Sequence, residues 1–303
     1  MQDVKFGDVT VNRIVELYED ASPPEVITPD MPRERWEENR SWLVPDHWNP
    51  QTDAYVGALQ SWLLRSGGRN ILIDTGAGNG KDRPQPQFSN LRTDFLGNLA
   101  ASGVRPEDID VVINTHLHLD HTGWNTYRVG EDWVPTFPNA TYLISKTDFD
   151  FWNPANGNES VVLGKGNYGS FEDSVLPVHQ AGQTLLWEDS YTIDENIRLE
   201  LTPGHTPGAS VVQLQSGSDR VLFASDTLHV PMQILEPDCN SCFCEDPAAA
   251  RAVRHKLLGW AADNNALFVP GHFVDAGCVE VARAGARFSI KGWGPFEALL
   301  ARD

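Results

Sequence analysis

Short apolar runs recur along the chain, and most have the length and composition of buried β-strands. Residues 9–18 are rich in β-branched side chains, and Ile109–Asn114 is almost entirely apolar. Two further runs flank the sequence Ser66-Gly-Gly-Arg69, which indicates a tight β-hairpin. The pattern predicts strands at 9–18, 58–65, 70–74, 109–114, 140–145, 197–201, 210–215, 220–224 and 266–269.

Two segments have the apolar spacing and the terminal residues of helices. Residues 91–101 are followed by Gly103 and Pro106, which predict the end of a helix. Asp246 and Pro247 suit the N-cap and the first helical position of a second helix. The apolar face of this second helix is predicted at Ala249, Val253, Leu257 and Trp260.

The strands fall into two groups, each accompanied by helices, and the groups are joined near residues 170–195. This arrangement predicts two sheets packed face to face with helices outside. The stretch 20–57 interrupts the first group with prolines and three tryptophans, Trp36, Trp42 and Trp48. We expect an irregular arm whose tryptophans cover the core of the protein itself, a pocket or a second subunit.

Charge and hydropathy narrow the choice of partners. The 303 residues include 23 Lys and Arg against 42 Asp and Glu, so the formal net charge is −19. A surface this acidic would repel a phosphate backbone, and we expect no nucleic-acid partner. No apolar run reaches the roughly 18 residues of a membrane span. The N-terminus lacks the basic and apolar regions of a signal peptide, so a cytoplasmic protein is expected.

Three of the four cysteines lie in one short stretch, Cys239-Asn-Ser-Cys242-Phe-Cys244, and the fourth is Cys278. Four cysteines are too few for a disulfide-stabilised fold of this length. The stretch fits either a soft-metal or redox cluster or, with fewer assumptions, reduced thiols that pack as small apolar residues.

The densest group of potential metal ligands follows the predicted strand at 109–114. His116, His118, Asp120 and His121 lie within six residues. His116 and His118 are two positions apart and can project to the same side of an extended chain. Imidazole and carboxylate together suit Zn²⁺ and similar divalent ions, whereas unpartnered ionisable groups in a core are costly. The segment is therefore predicted to bind metal.

Three more candidates repeat one local pattern in the second half of the chain. His205, Asp226 and His272 each follow an apolar strand and a turn of small residues or glycine. Loops at strand ends are where a rigid scaffold presents functional groups. We therefore expect these side chains to complete the metal site begun by the 116–121 segment.

The motif His116-x-His118-x-Asp120-His121, followed by His205, Asp226 and His272, resembles that of the metallo-β-lactamase superfamily. The resemblance runs from Ile71-Leu-Ile-Asp-Thr-Gly76 to His272 and implies an α/β fold, an αββα four-layer sandwich of two mixed sheets. It implies one domain over 1–303 with pseudo-equivalent halves at about 1–180 and 181–303, and a two-metal site at one edge of the sheets. His116, His118 and His205 would hold one ion, Asp120, His121 and His272 the other, and Asp226 would bridge them.

Three segments narrow the resemblance to the branch of N-acyl-homoserine lactonases and methyl-parathion-hydrolase-type enzymes. They are Phe137-Pro-Asn-Ala-Thr-Tyr-Leu143, Gly204-His205-Thr-Pro-Gly208 and Asp226-Thr-Leu-His229-Val230. Lactonases of that branch often carry a tyrosine three residues after the bridging aspartate, where this chain has His229, as the organophosphate-hydrolase-like members do. His229 is interpreted either as a proton donor to the leaving group or as a hydrogen-bond partner behind a ligand.

The resemblance implies a metallo-hydrolase with two divalent ions, with zinc first and manganese, iron or cobalt as alternatives. We predict that a hydroxide bridging the ions attacks a lactone, ester or phosphotriester, with Asp120 orienting it and accepting its proton. The acidic surface, the tryptophan-bearing arm, and Trp124, Phe151 and Trp152 favour a neutral, partly apolar small-molecule substrate. The arm also suggests a homodimer.

Other activities share this ligand pattern. A thioester hydrolase of glyoxalase II type and a mononuclear-iron persulfide dioxygenase both remain open, as does a non-catalytic metal-binding protein. RNA-processing members of the superfamily are disfavoured by the net charge of −19.

Overall fold

A computed structural model describes residues 2–163 and 165–296, so both ends of the predicted 1–303 domain lie outside the described residues. The strands are β1 (Val4–Phe6), β2 (Val9–Ser22), β3 (Trp48–Asn49), β4 (Ala54–Ser66), β5 (Arg69–Ile73), β6 (Val111–Asn114), β7 (Thr126–Val129), β8 (Asp132–Pro135), β9 (Thr141–Ser145), β10 (Thr184–Trp187), β11 (Ser190–Thr192), β12 (Ile197–Leu201), β13 (Ser210–Ser216), β14 (Asp219–Ser225), β15 (Leu267–Pro270), β16 (Val279–Ala284) and β17 (Arg287–Trp293). The helices are α1 (Pro24–Ile27), α2 (Arg33–Glu38), α3 (Arg40–Leu43), α4 (Phe95–Ala101), α5 (Leu119–Thr122), α6 (Lys146–Trp152), α7 (Leu176–Gln180), α8 (Met232–Leu235) and α9 (Pro247–Asn264).

The strands form two large mixed sheets and one small hairpin. The first sheet has the order β1-β2-β4-β5-β6-β9-β10, with β3 added on β4, and the second runs from β11 to β17 in sequence order. β5, β6, β9 and β10 pair in parallel, as do β14 and β15. The chain passes from one sheet to the other between Trp187 and Ser190, a few residues after the predicted boundary at 180.

Apolar side chains fill the space between the sheets and the outer face of each. Ile71 and Ile113 of the first sheet meet Val212 and Val221 of the second in the central core. On the outer faces, α4 packs through Phe95 and Leu99, and α9 packs through Leu257 and Leu258. Because each sheet is thus apolar on both faces, the predicted αββα sandwich is confirmed.

Local sequence signals explain two of the elements. Gly67 and Gly68 turn the β4–β5 hairpin with φ values of +56° and +76°, the left-handed pair that a type I′ turn requires. The side chain of Asp246 accepts the backbone N–H groups of Ala248 and Ala249, at 3.0 Å each, and so caps α9 as predicted.

The buried face of α9 differs from the prediction. Ala249, Val253 and Trp260 are only partly buried; the buried residues are Ala250, Arg254, Leu257, Leu258, Gly259 and Ala261. Arg254 lies on the buried face because its guanidinium donates hydrogen bonds to the carbonyl oxygens of Thr227, Pro237 and Cys239. The predicted helix at 91–101 begins later, at Phe95.

The prediction of an irregular arm at 20–57 is wrong in part. β2 extends to Ser22, β4 begins at Ala54, and α1, α2, α3 and β3 lie between them. Trp36 and Trp48 are buried and pack with Val230 and Met232, which follow β14, whereas Trp42 is half-buried. The arm therefore covers part of this chain. Within the described ranges, no helix has the length and apolarity needed to cross a bilayer.

Candidate metal centre

Four of the candidate ligands come from the first sheet. His116 and His118 lie in the turn after β6, and α5, which begins directly after His118, carries Asp120 and His121. The three imidazoles are buried, whereas Asp120 is partly exposed and lines a pocket. The short strand–turn–helix connection therefore brings four donor side chains to one edge of the sheet.

The other three candidates come from the second sheet. His205 lies in the turn between β12 and β13, while Asp226 and His272 follow the parallel strands β14 and β15. The backbone N–H of Gly271 donates to the carbonyl of Ser225 at 2.9 Å, which joins these two turns. A Cβ at Gly271 would overlap Asp226 Oδ1, so only glycine allows this close approach.

The Asp226 carboxylate lies at the centre of the seven side chains. Its oxygens are within 3.7 Å of five ring nitrogens, Nε2 of His116 (3.7 Å), His121 (3.4 Å), His205 (3.3 Å), His229 (3.2 Å) and His272 (3.2 Å). An acidic group between two sets of histidines has the position expected of a bridging ligand.

The donor atoms form three overlapping groups, in each of which all atoms lie within 4.8 Å of one another. The groups are His116, His118, His205 and Asp226; Asp120, His121 and His272; and Asp226, His229 and His272. The structure thus brings together all seven residues predicted as ligands, in the two sets that the resemblance implies. It also places His229 beside them.

The buried donor atoms fit divalent cations. Among the described residues, His116 Nε2 and Asp226 Oδ1 are buried without a hydrogen-bond partner. His205 Nε2 faces His118 Nδ1 at 2.9 Å, and His121 Nε2 faces His272 Nε2 at 3.3 Å. Buried polar atoms are rarely left unpaired in proteins, and inward-facing imidazole and carboxylate donors are the ligands that zinc-like ions take.

The histidines of the cluster differ in the direction in which their pKa values are shifted. Burial lowers the pKa of His116 and His118, and neighbouring histidines lower it further. Burial also opposes the charged form of His205 and His121, but Asp226 outweighs it, which raises the pKa of His205 to about 9 and that of His121 above its usual range. The cluster therefore holds protons that a cation would displace.

Asp74 supports the cluster from behind and was not singled out from the sequence. Its Oδ2 lies 2.9 Å from His121 Nδ1, and its Oδ1 accepts the backbone N–H of Thr115 at 2.8 Å. Asp74 has a φ of +55°, and Ser225, next to Asp226, has a φ of +45°. Non-glycine residues adopt this conformation mainly where the surrounding structure enforces it. The available signal was the position of Asp74 at the end of a buried strand.

Asp148 of α6 is a second supporting residue that sequence reasoning missed. Its carboxylate accepts the N–H groups of Leu117 (3.0 Å) and Gly208 (2.6 Å) and the hydroxyl of Thr206 (2.9 Å). It therefore ties the turn of His116 and His118 to the turn of His205. No local pattern marks Asp148, because its partners are distant in sequence.

An open pocket lies in front of the cluster. Asp120, Asp226, His118, His229 and His272 form its floor. Its apolar walls are Tyr55, Phe88, Leu119, Leu163 and Phe243. None of the aromatic residues proposed to favour an apolar substrate is among the described residues that line the pocket, namely Trp36, Trp42, Trp48, Trp124, Phe151 and Trp152. Trp124 instead stacks on Phe95 at 5.5 Å between ring centroids.

Neither the remaining histidines nor the cysteines of the described ranges belong to a candidate metal group, although Cys244 lies beside His205. His47 stacks on Trp293, His179 contacts Thr184, and His255 pairs with Asp238. All four cysteines are free thiols, and among the described residues no candidate metal group includes one. Cys239 and Cys242 pack against the arm, where burial raises the pKa of Cys242 to about 11.

The chain belongs to the metallo-β-lactamase superfamily, because the model of that family matches residues 54–272, more than half of its length. Among curated proteins, the N-acyl homoserine lactonase AttM of Rhizobium radiobacter is 27% identical over 189 residues. The alignment covers 60% of this chain and 64% of AttM, slightly less than two thirds of that relative.

Solved structures of the same fold cover nearly the whole chain. The hydrolase AbOPH of the β-lactamase superfamily has a TM-score of 0.79 at 23% identity, covering 99% of this chain and 98% of its own. AidC, a dizinc quorum-quenching lactonase in complex with the product N-hexanoyl-L-homoserine, has a TM-score of 0.76 at 23% identity, covering 96% of both chains. These similarities confirm the fold.

Proposed function

We propose that the protein is a metal-dependent hydrolase that acts on a small lactone, ester or phosphotriester-like molecule. The observation that carries the proposal is the convergence of seven donor side chains from both sheets, four of which line one pocket: His118, Asp120, Asp226 and His272. The similarity to a lactonase and to a hydrolase of the same superfamily supports it.

Two divalent ions are proposed, with zinc as the first candidate. His116, His118 and His205 would hold one, Asp120, His121 and His272 the other, and Asp226 would be shared. When bound, such ions lower the pKa of a water molecule from about 15.7 to about 7 and polarise the oxygen under attack. The protein supplies the fixed donors and the dry pocket in which these effects are strong.

Asp120 is proposed to orient the attacking water and to accept its proton. It is the one carboxylate of the cluster that is partly exposed to the pocket, and its Oδ2 lies 3.6 Å from His272 Nε2. A carboxylate at this place can hold a water in line with a substrate carbonyl or phosphoryl group.

His229 is proposed to position Asp226. Burial lowers the pKa of His229 to about 4, so its ring is neutral at pH 7 and carries one N–H. Nε2 lies 3.2 Å from Asp226 Oδ2, and that N–H is well placed to be donated there. Donation to a leaving group is the competing role, because the same side chain lines the pocket.

The pocket favours a neutral or cationic substrate with an apolar part. Tyr55, Phe88, Leu163 and Phe243 supply apolar surface, and neither Lys nor Arg is among the described lining residues. A cytoplasmic location and a homodimer stay predictions from the sequence.

The proposal is tested with protein reconstituted with Zn²⁺, Mn²⁺ or Fe²⁺, with metal content measured alongside rates. The panel contains lactones, aryl esters, phosphotriesters, β-lactams and glutathione thioesters. We expect about two ions per chain and hydrolysis of lactones, esters or phosphotriesters, which Asp120→Asn lowers by more than about a hundredfold. Asp263→Asn, which alters an exposed ion pair with Arg283, is the matched control.

Three outcomes would contradict the proposal. Turnover of glutathione thioesters alone would assign a glyoxalase II-type thioester hydrolase. One iron per chain together with consumption of a persulfide would assign a dioxygenase. Tight metal binding without turnover of any substrate would leave a metal-binding protein.

A further inference from the structure

Glu19 stands apart from the other acidic side chains of the pocket. It lies near the end of β2 and lines the pocket beside the cluster, but it belongs to none of the three groups of metal-donor atoms. Its Oε2 is buried and has no hydrogen-bond partner among the described residues. Glu19 is therefore not one of the donors, although burial raises its pKa to about 7 and its carboxyl group interacts electrostatically with His272 and Asp120.

A second buried carboxylate on the same strand shows how the fold treats such a group when it is purely structural. Glu16 accepts the backbone N–H groups of Ala77 and Gly78, the indole N–H of Trp124 and the hydroxyl of Thr93. Burying a carboxylate without partners is costly, and four donors offset that cost for Glu16. Glu19 Oε2 has no such donor, although Glu19 lies only three residues further along the same strand.

A second residue of the pocket lining also has a buried oxygen without a hydrogen-bond partner. Gln85, in the segment after β5, lines the pocket, and its Oε1 is also buried without a partner among the described residues. No Lys or Arg in the described chain lines the pocket. Glu19 and Gln85 thus bring unpartnered acceptor oxygens to the pocket lining, and neither a lysine nor an arginine of the described residues pairs with them there.

We infer that Glu19 determines substrate specificity by receiving a protonated amino group carried by the substrate at a distance from the bond that is hydrolysed. An ammonium group has three donors and a positive charge, and so satisfies both the orphaned acceptors and the unpaired carboxylate. This inference rests on the proposed hydrolase function. It refines the expected substrate from a neutral small molecule to one that carries a cationic amine away from the bond that is hydrolysed.

The kinetic test compares two aryl esters of equal length, 4-nitrophenyl 6-aminohexanoate and 4-nitrophenyl heptanoate, which differ only in an ammonium in place of a methyl group. We expect the wild-type protein with zinc to favour the amino ester. Glu19→Gln should lower kcat/KM for the amino ester by roughly tenfold to a hundredfold, since hydrogen bonds to charged groups are worth more than neutral ones. The rate for the heptanoate ester should stay within about twofold of wild type.

Asp20→Asn is the matched control. Asp20 is exposed and accepts hydrogen bonds from the side chains of Asn49 and Thr52. Its substitution by Asn removes the same charge as Glu19→Gln, one residue further along the chain. We expect it to leave the ratio of the two rates unchanged. A ratio that is equally low in both variants would reduce the effect to long-range charge and overturn the inference, as would a ratio that Glu19→Gln leaves intact.

A binding measurement separates this inference from the hydrolase proposal. Calorimetric titration of the zinc-loaded protein with n-hexylammonium and with 1-hexanol requires no turnover. We expect Glu19→Gln to weaken hexylammonium binding about as much as it slows the amino ester, and to leave hexanol binding and zinc content unchanged. If neither ester is hydrolysed but this difference is found, only the hydrolase proposal fails. Loss of zinc in Glu19→Gln would place Glu19 in the metal centre and overturn the inference.

Discussion

At the scale of single residues, the cluster depends on a carboxylate that burial alone would disfavour. Asp226 is buried, yet its pKa lies well below the usual range because His272 and His121 outweigh the effect of burial. The fold keeps this charge in place by surrounding it with imidazoles that could each be shared with a cation. The acid is thus held ionised before any ion arrives.

His229 provides a test of two roles for one side chain. If it only positions Asp226, His229→Gln should lower kcat by a similar factor, about tenfold to a hundredfold, for esters of good and poor leaving groups. If it donates a proton to the leaving group, the loss should grow as the leaving group becomes more basic. A series of substituted phenyl esters measures this dependence, with zinc content determined for each preparation.

The site residues also show what a linear sequence can reveal. The seven candidate ligands were recognisable because each has a local signal, a dense His/Asp motif or a donor directly after an apolar strand. Asp148 lacked one, since its role arises only when α6 packs against the ligand turns, and the signal at Asp74 was no more than its place at the end of a buried strand. Glu19 gave no signal because its lack of a partner is a property of the folded chain.

At the scale of elements, several strands that have a neighbour on each side were predicted with close bounds. The bounds of β12 agree with the prediction at both ends, and β6, β9 and β14 agree within two residues. Eight strands were not predicted: β1, β3, β7, β8, β10, β11, β16 and β17. Several of them are short or mix polar and apolar residues, as the sequence of β17 shows. The buried face of α9 was predicted incorrectly because Arg254 is buried, whereas charged residues are normally assigned to the solvent-exposed face.

The segment between β5 and α4 depends on one buried ion pair. Asp173 accepts both guanidinium nitrogens of Arg83, at 2.7 and 2.8 Å, and lies 3.3 Å from the ammonium of Lys81. This contact anchors the stretch that carries Gln85 and Phe88 into the pocket. Pocket shape therefore depends on a charge cluster remote from the metal centre.

Asp173→Asn should leave two buried cations without their counter-charge and lower the free energy of unfolding by about 3–5 kcal/mol. Burial lowers the pKa of Lys81 to about 8, which limits the loss at alkaline pH because the amine can then release its proton. Urea unfolding at pH 7 and pH 9 measures both effects. Asp263→Asn serves as the exposed control and should leave the free energy of unfolding close to that of the wild type. An equal, small loss in both variants would exclude a structural role for the buried pair.

At the scale of the whole molecule, metal binding and protonation compete for one cluster. The pKa of His205 is about 9 in the metal-free protein, so an ion must displace a proton from it at any pH below that value. Zinc affinity should therefore rise at least about tenfold per pH unit between pH 6 and 8. Competition with a chelator at several pH values measures the slope, and a pH-independent affinity would contradict the ligand assignment of His205.

The same protons affect the stability of the metal-free fold. A histidine whose pKa is raised on folding stabilises the folded state fully below its unfolded value, which is about 6.5. That contribution is lost as the pH rises through about 9, the folded value of His205. Thermal unfolding of chelated protein should show a melting temperature that declines over this range.

The division of the donors between two sheets also has a temporal consequence. Ribosomes release the chain from its N-terminus, so His116 to His121 emerge while His205, Asp226 and His272 are still unmade. A nascent chain that carries only the first four ligands has an incomplete site and binds metal weakly. Tight binding requires the last donor. The complete metal site can therefore form only after residue 272 has been synthesised and the two halves of the fold have packed together.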